Sequence, residues 1–396
     1  MKYLLKNKIG MPSVTFISNT LTPHQMPFSE AMYKLIGDKY KFISCVTLSN
    51  ERTQMGWRIS DTLTYELRAY ELLEKVNKLA VESDVVILGS APDVYIKDRL
   101  KMSKLTFKYS ERLYKKGLSA KMLPRAIVSS YLHHGRFQKY PIYMLCASAY
   151  TAADVAMFGN YKNRMFKWGY FPETKEYNIE DLINSKRSDV LKVLWVGRFV
   201  ELKHPELALA VAQKLDSEQI DFQLKMIGNG EELERIIQLI HDMGLKNRVI
   251  LLGAMPPEEV RRHMEEASIY LFTSDFNEGW GTVLNESMNS GCAVVASHAI
   301  GSVPFLLKHG ENGLIYKNSD VDDLCNKVIL LARDIELRET LGRKAYLTIK
   351  NTWNAEIAAD RFLKLCEYLL NGKSCDCDDG PCSKATIINN NWFMGD

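Results

Sequence analysis

Residues 274–291, SDFNEGWGTVLNESMNSG, lie between two apolar runs, Ile269–Thr273 and Ala293–Ala296. Both runs have the length and residue types of strands, and a helix-like run leaves the turn between them, which makes a βαβ unit of a parallel sheet. The turn Glu278-Gly-Trp-Gly-Thr282 opens that helix. Unpaired backbone N–H groups and the positive end of the helix dipole at such a place suit a phosphate. Glu278 stands before Gly279 and Gly281, and Glu286 follows on the helix beyond Thr282 and Val283. Two Glu at this spacing occur by chance in many chains, and a helical Glu is usually a solvated charge. The neighbours Val283, Leu284 and Met288 give Glu286 an apolar setting, where an unpaired carboxylate is costly, and this points to a polar ligand group as its partner.

The same alternation extends on both sides. Upstream, Val193-Leu-Trp-Val-Gly197 is a strand running into Arg198, with Lys203 five residues on. Cations leaving the carboxyl end of a strand stand where α/β sheets bind ligands, Arg as a fork of donors and Lys as a point charge. As a bare pair they read more often as surface decoration. A helix with Leu207, Val211 and Leu215 follows, then strand 222–227, the loop Gly228-Asn229-Gly230, and a helix from Glu231 closed by Gly244. Val249–Leu252 is a strand, Gly253-Ala254-Met-Pro-Pro257 opens the next helix, and 321–333 and 353–370 are helical.

In the first half, 13–19, 41–48, 84–89, 105–112 and 143–147 read as strands, and 28–36, 65–80 and 148–158 as helices, while 50–65 give no clear signal. The loop after the first strand, Thr20–Pro27, contains Thr22 and His24 but no glycine, which argues against a dinucleotide site. Residues 173–188 are polar and aperiodic and read as a linker. The fold class is therefore α/β, with two Rossmann-like βαβ domains.

At 396 residues, 46% hydrophobic and 25% charged, the composition is that of an ordinary globular protein of about two domains. No apolar run approaches the roughly 18 residues needed to span a bilayer, and the N-terminus has no convincing signal-peptide cleavage site, so a cytoplasmic protein is expected. Residues 1–188 hold 29 Lys and Arg against 17 Asp and Glu, and the remainder 22 against 31. Within 97–139 twelve basic residues face only Asp98 and Glu111. A solvated basic face is the bland reading; contact with an anionic membrane surface is the sharper one. No nucleic-acid-binding module appears. Cys45, Cys146, Cys292, Cys325 and Cys366 read as reduced core residues, and Cys375, Cys377 and Cys382 crowd an aperiodic tail without zinc spacing, so no metal is expected.

Together VGRFVELKH, MIGNGEEL (226–233), EGWGTVLNE and SGCAVVAS resemble the C-terminal half of GT-B glycosyltransferases, especially retaining family 4. The resemblance is strongest over 190–315 and implies two Rossmann-like halves facing a cleft. It places an acceptor-binding domain at 1–172, a linker at 173–188 and a nucleotide-sugar-binding domain at 189–352. A helix at 353–371 crosses back to the first domain, and 372–396 is a flexible tail. It implies transfer of a sugar from a nucleotide-diphosphate sugar to the hydroxyl of a sugar or lipid-linked acceptor, without a cofactor or metal, in cell-envelope or capsular polysaccharide synthesis. Arg198, Lys203 and Glu278 are then catalytic. Donor binding falls to Glu286, Gly279, Gly281, Thr282, Val283, Gly228, Asn229, Gly253 and Ala254. Thr22, His24, Lys108 and Glu111 are the acceptor or sugar contacts, although Glu111, isolated among cations, reads also as salt-bridged. Two departures stand out: many relatives have a Gly-Gly pair in the 20–27 loop, and Lys108 stands where a sugar-contacting His is common. A GT-B sugar phosphorylase or epimerase, or a non-catalytic nucleotide-sugar-binding subunit, are the rival readings.

Overall fold

The computed structural model of the chain describes residues 10–47, 63–115, 117–372 and 377–394. They divide into two units, one made of the described residues up to Glu173 together with Trp353–Asn389, the other of Thr174–Thr352 with those from Asn390 onward. Among the described residues no helix is long and apolar enough to cross a membrane.

The first unit is built on seven parallel strands: β1 (Val14–Ser18), β2 (Tyr40–Ser44), β3 (Glu66–Arg68), β4 (Val85–Leu88), β5 (Thr106–Ser110), β6 (Ile142–Cys146) and β7 (Met165–Lys167). Their order is β3-β2-β1-β4-β5-β6-β7, so β1 pairs with both β2 and β4 and the winding reverses there. Every residue of β1 and β4 is buried, which is why β4 reads as an unbroken apolar run and β1 admits only the small polar residues Thr15 and Ser18: helices cover both faces of a parallel sheet. The periodic segment 65–80, expected to be one helix, divides. Phe42, Ile43 and Ser44 take Glu66, Leu67 and Arg68 as sheet partners, and the helix covers Leu73–Glu82. Pairing at the sheet edge overrides the local pattern.

Several of the expected surface cations are internal. Arg99 is fully buried and donates to the carbonyls of Ala80 (3.0 Å), Ser83 (2.9 Å), Asp84 (3.1 Å) and Leu105 (2.6 Å) and to Thr106 Oγ1 (3.0 Å). Five donors in a rigid fork satisfy a cluster of carbonyls that no ammonium could reach at once. Burial brings its pKa down to about 10. The helix Ala355–Asn371 completes this unit: Asn354 caps it, and Phe362 packs on Phe28, Phe107 and Trp168. The tail departs from the flexible segment expected of it. Lys384 bridges Phe166 in antiparallel sense, the Lys167 and Ala385 N–H groups reach Ser383 O at 2.7 Å and Met165 O at 3.0 Å, and Cys382 is buried. Backbone groups on the outer edge of β7 find their partners here. Cys375 lies outside the described residues.

The second unit has six parallel strands: β8 (Leu191–Val196), β9 (Phe222–Ile227), β10 (Val249–Gly253), β11 (Ile269–Phe272), β12 (Ala293–Ser297) and β13 (Leu314–Tyr316), in the order β10-β9-β8-β11-β12-β13. The winding reverses at β8, which pairs with β9 on one side and β11 on the other. The segment read as a structureless linker contains the helix Ile179–Ser185, with Ile183 buried. Its anchor is a close helix approach that sequence periodicity does not report. Gly342, inside the helix Ile335–Asn351, lies against the Gly291 carbonyl and the Ile183 side chain with no room for a Cβ. Gly342→Ala, which on helix propensity alone stabilises by about 1 kcal/mol, is therefore expected to destabilise this unit by about 1–3 kcal/mol through overpacking, read as a lower urea midpoint at unchanged slope.

Candidate functional site

In a doubly wound sheet the loops on either side of the reversal diverge and leave a crevice at the carboxyl ends of the strands. In the second unit those loops follow β8 and β11. Exposed Arg198 follows β8, and its loop is fixed by the loop after β9. The Phe199 N–H donates to Asn229 O at 2.9 Å, Gly197 N to Ile227 O at 3.0 Å, and Glu232 N to Phe199 O at 2.8 Å. Gly228 (φ 139°) and Gly230 (φ 158°) allow this, because a Cβ at either would strike the Gly197 or Phe199 carbonyl. Gly228 N in turn donates to Gly253 O at 2.9 Å. The Gly-Asn-Gly loop thus acts on the site first as packing that holds the Arg198 loop, and Gly253 and Ala254 stand beside it.

Lys203 ends a short 3₁₀ turn, Glu201–Lys203, and pairs with Glu278. Both side chains are 14% exposed. Ser274 Oγ donates to the same carboxylate at 3.1 Å, and the ammonium lies 5.6 Å from the Phe272 ring centroid. The two loops are tied by their backbones as well: Thr273 Oγ1 donates to Lys203 O at 2.6 Å and accepts from Trp195 Nε1 at 2.8 Å, and Asp275 N donates to Leu202 O at 3.1 Å. Gly281 (φ 78°) faces the Phe272 ring where a Cβ would collide, so the turn that begins at Glu278 folds back over β11. Trp280 is buried, donating to Asn285 Oδ1 at 2.8 Å while its carbonyl accepts from Ser302 Oγ at 2.5 Å. Asn285 and Ser302 hold the turn, and nothing in the sequence singled them out.

Glu286 has a protein cation among its partners. On the helix Val283–Asn289 its carboxylate lies 3.8 Å from Arg261, and Arg261 is buried. The counterion is therefore a protein group, supplied by the helix Pro257–Glu266. The sequence hid it within the charged run PEEVRRHMEE, where any Arg reads as solvated. Arg261 also donates to Asn289 Oδ1 at 2.9 Å and to Glu286 O at 3.3 Å. Asn289 brackets Lys175, accepting from its N–H at 2.9 Å and donating to its carbonyl at 3.0 Å. Buried Tyr270 beneath has its phenol pKa pushed up, by burial first and by the Glu286 charge second.

Arg198, Lys203, Gly228, Asn229, Gly253, Ala254 and the segment from Glu278 to Glu286, including Gly279, Gly281, Thr282 and Val283, thus share one end of one sheet. Thr22, His24, Lys108 and Glu111 belong to the first unit. There Lys108 is engaged inside the protein: only 8% exposed, it meets Asp93 at 2.5 Å and donates to His133 O at 2.6 Å. Burial draws its pKa down against the pull of Asp93. The neighbouring His134 is drawn down to about 4, by burial first and then by Lys108. Glu111 pairs with Lys115 at 3.1 Å and accepts from Tyr170 at 2.9 Å. Thr22 O accepts from Gln25 and Met26 N–H groups, both at 2.9 Å, starting the helix Met26–Ile36. His24 O accepts from Phe171 N at 3.2 Å, with its ring edge-on to Tyr170. Among the described residues no group of three or more His, Cys, Asp and Glu side chains is placed to hold a metal ion.

Residues 178–348 match the family described as Glycosyl transferases group 1. The chain is 25% identical over 182 residues to the N-acetyl-alpha-D-glucosaminyl L-malate synthase of Bacillus anthracis, covering 46% of this chain and 45% of that protein. It is 26% identical over 178 residues to the lipopolysaccharide core biosynthesis glycosyltransferase LpsE of Rhizobium meliloti, covering 45% of this chain and 50% of that protein. The chain thus spans half or less of the length of these curated relatives. The crystal structure of Anabaena Alr3699/HepE in complex with UDP and glucose superposes with a TM-score of 0.64 at 15% identity, over 89% of this chain and 98% of that one, so the fold is shared across both units.

The Arg261 network generates a stability prediction. Arg261→Met takes one of two donors from Asn289 Oδ1 and removes the buried guanidinium that faces the Glu286 carboxylate. It is expected to cost about 3–5 kcal/mol, seen as a loss of chemical-denaturation stability, whereas substitution of the exposed Arg262 leaves stability within about 0.5 kcal/mol.

Proposed function

We propose that this chain, whose residues 178–348 form a Glycosyl transferases group 1 domain, moves a sugar from a nucleotide-diphosphate sugar to an acceptor hydroxyl with retention of configuration. The observation that carries the reading is the Lys203–Glu278 pair beside Arg198, at the carboxyl end of β8 where the sheet reverses. Negative charge develops on the leaving diphosphate as the glycosidic bond breaks. Arg198, Lys203 and the backbone at Gly281 and Thr282 form a preorganised positive environment for that charge, so the transfer proceeds without a divalent ion. Glu286, oriented by Arg261, holds the ribose hydroxyls. Glu278, released from Lys203 as the phosphates arrive, supports the donor sugar. The leaving phosphate itself takes the proton of the attacking hydroxyl, so no side chain serves as nucleophile. The neighbour crystallised with UDP and glucose supports a nucleotide-sugar donor.

The acceptor side of the reading is a lipid-linked saccharide at an anionic membrane surface, as in envelope or capsule synthesis. Its support is the helix Leu123–His133 of the first unit, where Leu123, Ile127, Val128, Tyr131 and Leu132 are all exposed. Lys121, Arg125, Arg136 and Lys139 lie on or beside the helix. Apolar side chains enter the headgroup region while each cation near anionic lipid gains about 1 kcal/mol. The chain would then be a peripheral protein of that surface.

The test is a thermal-shift and hydrolysis screen with UDP-, GDP-, ADP-, CDP- and dTDP-sugars, each with and without EDTA. One donor should stabilise the protein and slowly release nucleotide despite the chelator; no stabilisation by any donor overturns the reading. With that donor, Lys203→Gln should lower kcat by roughly 10²–10³-fold, and Glu286→Gln should lower kcat/KM by about 10- to 100-fold, the loss of charge-assisted hydrogen bonds to the ribose. At physiological salt the protein should co-sediment with vesicles containing anionic lipid, and Arg125→Glu combined with Ile127→Asp should abolish this while leaving donor hydrolysis intact.

A further inference from the structure

His204 closes the turn that carries Lys203. Its backbone is left-handed (φ 47°, ψ 57°), a conformation that a non-glycine residue keeps only where its surroundings hold it. The hold is at both ring nitrogens: Nδ1 lies 2.9 Å from Glu206 Oε1 and Nε2 3.5 Å from Asp275 Oδ2. Glu206 belongs to the helix Pro205–Ser217 and also meets Arg235, at 3.0 Å, from the helix Leu233–Asp242. Asp275 opens the segment after β11; its N–H reaches Leu202 O, and its carbonyl accepts the Glu278 N–H at 3.1 Å. The imidazole therefore faces one carboxylate from each of two elements. Arg235 stands behind the first and the Lys203–Glu278 pair beyond the second.

We propose that His204 is a positioning residue for the donor diphosphate: its imidazolium, held between Glu206 and Asp275, locks the Arg198–Lys203 loop to the turn that carries Glu278. The proposal rests on the transferase reading of this same crevice. With the ring protonated, one cation compensates both carboxylates and draws the two loops together. With the ring neutral, the Asp275 carboxylate keeps its hydrogen bonds from Asn277 but loses its cation beside the place where an anionic ligand must enter, and of the ionic ties between the two loops only the Lys203–Glu278 pair remains.

The hydrogen bond to Glu206, followed by the charges of Glu206 and Asp275, raises the imidazole pKa above its ordinary value against the opposing effect of burial. A bound anion beside the imidazolium favours the protonated ring, so affinity is fully present below the ring's raised pKa in the free protein and is lost as pH rises through it. Donor affinity should therefore be high on the acid side of neutrality and fall on the alkaline side.

The experiment is titration calorimetry of the full chain with UDP-glucose, GDP-mannose and ADP-glucose, whose diphosphate diester does not itself titrate near neutrality. From about pH 6 to 8.5 the Kd of the wild type for the donor it accepts should rise roughly five- to tenfold through one inflection, the size expected where protonation and binding are coupled. His204→Asn, which tolerates the left-handed backbone, should bind at the weaker level throughout with no inflection. Glu206→Gln keeps the imidazole but removes its stronger partner, and should move the inflection to lower pH. A wild type that binds a donor with no inflection, or a His204→Asn protein that keeps it, overturns the positioning role and leaves the transferase reading standing. A wild type that binds none of the three at any pH overturns this proposal, and failure of the wider donor screen as well removes the reading beneath it.

Discussion

The crevice depends on one close approach. The loop after β9 runs so near the loop after β8 that backbone meets backbone, and Gly228 and Gly230 are the residues that leave the space. From that contact the rest follows by short steps. The Phe199–Asn229 hydrogen bond fixes where Arg198 emerges, the 3₁₀ turn fixes Lys203 after it, and Lys203 meets Glu278 from the other side of the sheet reversal. Glu278 opens the turn whose helix carries Glu286 to Arg261. A loop with side chains in place of the two glycines would have to stand off by the width of a methyl group, and each later contact would shift with it.

The ion pairs here are not primarily sources of stability. Lys203 and Glu278 are each mostly removed from water, and for such a pair the desolvation cost roughly offsets the attraction, so a well-packed apolar pair would hold the loops as well. What the charges provide is orientation. The Glu278 carboxylate holds the Lys203 ammonium at the crevice, so that side chain is already ordered there. Arg261 and Glu286 repeat the arrangement one layer deeper, with Asn289 extending it to the Lys175 backbone.

Much of this was legible in the sequence, for a physical reason. Strands buried on both faces are dominated by apolar residues, so β1, β4, β8, β11 and β12 declare themselves, and charged residues just past their ends stand out against them. Arg198, Lys203, Glu278 and Glu286 were visible in this way. Interactions between segments far apart in the chain were not. Arg261 looks solvated among its charged neighbours, Lys108 and Arg99 look like part of a basic surface, and Gly342 looks like a weak point in a helix; burial against a distant backbone gives each its role. β3 was hidden because three residues at a sheet edge carry too little pattern of their own, and the helix Ile179–Ser185 because its anchor is a glycine more than 150 residues away.

The first unit is discontinuous, since Phe362 and the helix that bears it come from beyond residue 352. A ribosome that has delivered its whole sheet has not yet delivered the residue that seals the aromatic layer of Phe28, Phe107 and Trp168. The second unit takes only its last few residues, from Asn390 onward, from beyond Thr352, and its main apolar cluster, within residues 191–341, is available first. During synthesis, where domains ordinarily mature from the N-terminus, this chain should invert the order: the nascent first unit waits with an apolar slot open, a natural client for a chaperone, until the second has emerged and the closing helix reaches it.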